Sequence, residues 1–196
     1  MKKTTVLLVV TMLFALLGIS FTSTQSQAKE ITDPDINQII LSSLKDTYHK
    51  GKPLYDSTPI KPSGDVKNVK ILKMVNNKSF VHVLYSFELN GKSKYGLCDI
   101  TVDNWRVSRN KTVTPSSKPL QIMTFHSSKY SDVIGFVKES ETVKTIRITY
   151  EDGIMESIDV SDTYIIYYPK HKHADLKIVE AVDESGGSIK IYPIHA

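Results

Sequence analysis

Two groups of side chains in this 196-residue chain have types and spacing that could do chemistry. The first is His82 with Asp99, which face one another if the surrounding residues form a hairpin. An aspartate bonded to a histidine orients the ring and favours its charged form. Such a pair is half of a hydrolytic triad; a serine would complete it, and no serine stands out by context. The plainer reading is a polar pair half-covered by its neighbours.

The second group is Tyr164, Tyr167 and Tyr168, which lead directly into Lys170, His171, Lys172 and His173. Rings and cations gathered at one strand end suit an anionic polymer, such as a wall teichoic acid, or a protein partner. The competing reading assigns the tyrosines to the core and leaves the charges to solubilise a loop. On a strand, His171 and His173 would point the same way, as two metal ligands do. The flanking lysines oppose a cation and Asp175 is the only acidic partner at hand, so neither a metal nor a cofactor is expected.

Other chemistry leaves little trace. The chain has no nucleophile elbow, no His-Glu-x-x-His, no phosphate-binding loop and no dinucleotide fingerprint. Gly186-Gly187 falls between two strand patterns and reads as a turn. Triads need not be close in sequence, so the absence points away from an enzyme without excluding one.

Whether His82 meets Asp99 depends on the stretch Ser79–Val102. It reads as two strands, Ser79–Leu89 and Lys92–Val102, joined by Asn90-Gly91, the strongest short hairpin signal. A two-residue type I′ turn sets Val81 opposite Ile100, Val83 opposite Cys98 and Tyr85 opposite Gly96 on one face. On the other face Phe80 meets Thr101, His82 meets Asp99 and Leu84 meets Leu97. Both faces are partly apolar, so both should be covered. An earlier strand, Val66–Val75, is expected to join through a turn at Asn76-Asn77, with Leu72 beside Val81 and Ile71 beside His82. Trp105–Val113 offers a fourth strand.

One helix is expected to lie on that sheet. Asp33 suits the N-cap, Pro34 the first turn and Asp35 the dipole; Ile36, Ile39, Ile40, Leu44 and Tyr48 then recur at helical spacing up to Gly51. The order of helix and meander resembles that of cystatin-like exported domains over about a third of the chain. After the Pro- and Ser-rich segment Thr112–Pro119, seven short strands follow, near Gln121–His126, Val133–Lys138, Val143–Tyr150, Ile154–Val160, Thr163–Tyr168, Leu176–Val182 and Ser188–Tyr192. At Glu151-Asp152-Gly153 a three-residue loop with Gly153 left-handed aligns Ile146 with Ile158, whereas a two-residue loop would expose the apolar face.

The expected fold is therefore mainly β. Residues 1–28 form a signal peptide, residues 29–118 a helix plus antiparallel sheet, and residues 119–196 a small all-β sandwich or barrel. Lys2 and Lys3, the apolar run Val6–Phe21 and Ser26-Gln27-Ala28 predict export and cleavage after Ala28. Processing removes two of the 25 Lys and Arg, leaving 23 against 21 Asp and Glu, too small an excess for a nucleic-acid partner. No stable membrane span is expected after processing. Cys98 is the only cysteine, so no intrachain disulfide can form, and its place on a core face reads as a small buried hydrophobe. Together these features predict a secreted, non-catalytic binding or interaction module at the bacterial cell surface. A cell-envelope hydrolase with an unidentified site is the alternative.

Overall fold

The computed structural model describes residues 35–51, 64–125, 133–170 and 175–193. Its single described helix, α1 (Ile36–Lys50), begins at Asp35 and not at Asp33. Asp35 is extended, and its carboxylate accepts from the backbone N–H of Asn37 (3.0 Å) and Gln38 (3.3 Å). A carboxylate reaches those two donors only from the N-cap, which corrects the expected start by two residues; Asp33 and Pro34 lie outside the described residues. Gly51, at φ 66°, closes the helix as expected. Ile40, Leu44 and Tyr48 are buried, and the Tyr48 hydroxyl lies 3.1 Å from that of Thr112.

The helix lies on a four-stranded antiparallel meander, β1 (Val66–Asn77), β2 (Phe80–Leu89), β3 (Lys92–Thr101) and β4 (Arg106–Val113), ordered β1-β2-β3-β4. Asn90 (φ 53°) and Gly91 (φ 74°) both take the left-handed conformation of a type I′ turn. The β2–β3 register follows from it: Leu89 faces Lys92, Tyr85 faces Gly96, Val83 faces Cys98 and His82 faces Asp99. The Asn90 side chain has a second role, accepting from the backbone N–H of Asp65 (2.9 Å) and so tying the entry of β1 to the turn.

The β1–β2 register differs from expectation. The turn falls on Lys78-Ser79 rather than Asn76-Asn77, so Asn77 pairs with Phe80 and Ile71 with Tyr85. The Asn77 side chain accepts the N–H of Lys78 at 2.7 Å, which stabilises the later turn. Irregularities between Lys67 and Lys70, where Asn68 takes a φ of 55°, and between Ile71 and Lys73 re-phase the strand. Val66, Val69 and Ile71 thereby join the helix-side core, and Leu72 joins the core on the other face.

Covering of both sheet faces is borne out. On the helix side, Val81, Val83, Tyr85, Phe87, Cys98 and Ile100 pack with Ile40, Leu44 and Tyr48. On the far side, Leu84 and Leu97 meet β5 (Leu120–Phe125) and β6 (Val133–Lys138) through Met123, Phe125, Val133 and Val137. Burial pushes the Cys98 thiol well above its usual range. The native protein should therefore resist a thiol reagent such as DTNB at mildly alkaline pH and react fully in denaturant. Rapid labelling of the native state would show that the hairpin core opens.

Strands β5, β6 and β9 (Tyr164–Tyr167) form a three-stranded sheet ordered β5-β6-β9. Its other face packs on a four-stranded sheet ordered β11-β10-β7-β8, made of β7 (Thr145–Tyr150), β8 (Met155–Asp159), β10 (Leu176–Val182) and β11 (Ser188–Pro193). The described residues are thus layered as helix, sheet, sheet, sheet. All six residues of β6 are buried: the apolar run over residues 133–137 suits a strand covered on both faces, and Lys138, at its end, donates to Glu141 Oε2 at 3.2 Å. Gly135 lets the first sheet approach: a β-carbon there would sit 3.2 Å from Leu97 and 3.3 Å from Leu84. The Glu151–Gly153 loop has the expected three-residue form. Gly153 is left-handed at φ 86°, the Tyr150 N–H donates to Ile154 at 2.9 Å, and Ile146 faces Ile158.

Candidate functional site

The β2–β3 register and the β3–β4 pairing of Asp99 with Arg109 assemble a three-residue polar cluster between the first and second sheets. His82 Nδ1 lies 2.7 Å from Asp99 Oδ1, and Arg109 Nε donates to Asp99 Oδ2 at 2.5 Å, with Nη2 of the same guanidinium against that oxygen. His82 is 2% exposed, Asp99 0% and Arg109 4%. Aromatic rings seal the cluster. The Arg109 guanidinium stands 4.7 Å from the Phe125 ring centroid, and Tyr168 meets the His82 ring edge-on at 5.3 Å. Neither His82 Nε2 nor the Tyr168 hydroxyl has a hydrogen-bond partner among the described residues. Burial, and then the charge of Asp99, raise the Tyr168 phenol above its ordinary value.

Asp99 accepts from both neighbouring strands, and the Arg109 cation offsets its charge. The His–Asp geometry is that of an acid–base pair. A substrate, however, would have to reach Nε2 through a closed aromatic wall, and the neighbouring Cys98 belongs to the opposite face. The cluster's hydrogen bonds tie β2, β3 and β4 of the first sheet together, and the Phe125 and Tyr168 rings carry its contact to the next layer. Arg109 was not singled out from sequence, although a signal exists: once β4 is registered on β3, the Asp already paired with His82 acquires an Arg on its other side.

The tyrosines of β9 and Tyr168, which follows it, divide between two faces. Tyr164 and Tyr168 flank Ile166 in the core between the first and second sheets, whereas Tyr167 and Ile165 enter the core between the second and third. Tyr167 donates from its hydroxyl to Glu156 Oε2 at 2.5 Å, and the backbone N–H of Lys170 donates to the same oxygen at 3.3 Å. Burial and this carboxylate push the Tyr167 phenol upward. Tyr167 and Lys170 are therefore brought together on Glu156, Tyr168 is brought to His82, and Tyr164 is set apart from Tyr167. Lys170 is exposed; His171, Lys172 and His173 lie outside the described residues. Among the described residues no group of three or more His, Cys, Asp or Glu could hold a metal ion.

These features define a layered, mainly β protein with one helix on an antiparallel meander and a buried ion-pair cluster between its sheets. No family model matches the chain, and no curated protein or solved structure matches it either.

Proposed function

We propose that the protein is an exported, non-catalytic binding module acting at the bacterial cell surface or outside the cell. Its ligand would be an anionic wall polymer, or another extracellular protein, engaging the Lys170 end of β9. The supporting observation is the Glu156 clamp. One carboxylate holds both the Tyr167 hydroxyl and the Lys170 backbone, so the exposed lysine leaves the fold from a fixed base. A lysine carried on such a base suits repeated anionic groups, since less ordering entropy is lost on contact. The burial of His82 and Asp99 argues in the same direction, because the pair best suited to proton transfer is closed off by its neighbours among the described residues.

Binding of the secreted protein to purified cell wall should weaken as salt is added, because exposed charges are screened over ~8 Å at physiological ionic strength. Replacing Lys170 and Lys172 by Glu should abolish that binding while leaving thermal stability unchanged. Wall binding by the double variant equal to the parent's would remove this loop as the site.

A further inference from the structure

On the helix side of the first sheet, opposite β9, a cavity of about 730 Å³ opens between α1 and the β3–β4 turn. We infer that this groove is a binding site for a neutral oligosaccharide, a reading independent of the Lys170 loop. The volume falls within the ~300–1,000 Å³ of small-molecule sites.

One wall is the helix, where Gln38, Ser42 and Asp46, each one turn apart, alternate with Ile39 and Ser43 to form a ladder of amide, hydroxyl and carboxylate groups. The other wall is Trp105, with Arg106 and Val107. Trp105 is half-buried and stands at φ 53°, a conformation that a bulky side chain adopts only when its surroundings impose it. The turn does so. The Trp105 N–H donates to Thr101 O at 2.9 Å, the Arg106 N–H donates to Asn104 Oδ1 at 3.2 Å, and the Thr101 hydroxyl donates to the same Asn104 oxygen at 2.5 Å. These bonds fix the backbone of the turn that brings Trp105 to the groove, across from the polar helical wall.

The chemistry of the lining selects the ligand. An aromatic residue beside closely spaced hydroxyl and amide groups matches a sugar ring, with its apolar C–H face and its rim of hydroxyls. The lining holds one acid, Asp46, which is bonded to Lys50 at 2.5 Å, and one base, Arg106. A ligand chosen by charge would be an anion on that single guanidinium, and its binding would weaken with salt where a neutral sugar's would not. A peptide strand would seek unpaired backbone groups, and the helical wall has spent its own internally.

The test uses a property of the composition: Trp105 is the only tryptophan, so intrinsic emission reports the groove directly. Titration of the mature protein with the neutral tetramer of N-acetylglucosamine, and with a neutral glucose tetramer, should shift that emission saturably for at least one of them. The shift should be equal at low and high salt. Ser42→Phe, at an exposed helix position, should fill the groove and weaken binding by about tenfold or more at unchanged thermal stability. Unmoved emission up to the solubility limit of both sugars would overturn the assignment. A saturable response only to a neutral tetrapeptide, or unimpaired sugar binding by Ser42→Phe, would do the same. Wall binding through Lys170 would disappear in high salt and this binding would not, so either reading can fail alone.

Discussion

Asp99→Ala should destabilise the protein by about 3–5 kcal/mol, enough to unfold much of it at ambient temperature. The substitution removes the acceptor shared by His82 and Arg109 and takes the Asp99 carboxylate away from a guanidinium buried at 4% exposure. The cost comes mainly from the buried bonds to Asp99 that the cation and the imidazole lose, so it should fall when those partners are removed as well. The triple variant Asp99→Leu, Arg109→Met, His82→Phe replaces the whole cluster by apolar groups of similar size and should recover most of the lost stability. Chemical denaturation of the three proteins gives the comparison. A loss below about 1 kcal/mol for Asp99→Ala would mean that water reaches the cluster and that the strands are not tied there.

Gly96→Ala should be nearly as damaging, although it adds one methyl group. Gly96 faces Tyr85 across the hairpin, and a β-carbon at Gly96 would overlap the end of the tyrosine ring. The ring has no room to swing away: Tyr85 is 0% exposed, packs at 5.8 Å from Phe87, and donates from its hydroxyl to Asn110 Oδ1 at 2.7 Å. Displacing it breaks that bond and strains the helix-side core, at a cost of about 3 kcal/mol. A double-mutant cycle with Tyr85→Leu isolates the clash, because the penalty at Gly96 should shrink sharply once the ring is gone. Additive losses would show that Gly96 matters for its backbone and not for the space it leaves.

The elements legible in the sequence are those whose geometry is local. Asn90-Gly91 admits one tight turn, and a strand period of two then carries the register outward to His82 and Asp99 without further information. Gly153 set the phase of β7 on β8 in the same way, and the spacing of Ile40, Leu44 and Tyr48 marked the buried side of α1. Where two local signals compete, the sequence is silent. Asn76-Asn77 and Lys78-Ser79 are both acceptable turns, and the choice between them, with two strand irregularities, is made by which side chains of β1 can enter the helix-side core.

The rest was decided by tertiary packing. Arg109 joins His82 and Asp99 only because β4 docks beside β3, and the cluster is sealed only because Phe125 and Tyr168 arrive from the second sheet. The three tyrosines of the Thr163–Tyr168 segment look alike in sequence. They part because β9 lies in a middle layer, where successive residues enter different cores. The left-handed Trp105 has no local signature, since the bonds that hold it close only after the β3–β4 turn has formed. Sequence alone thus determined the strand pairing next to the Asn90-Gly91 and Gly153 turns and the buried stripe of the helix, because both depend on periodicity within one or two elements. The stacking of the layers, and with it the burial of the polar cluster and the opening of the groove beside Trp105, depended on contacts between distant segments that only the folded chain brings together.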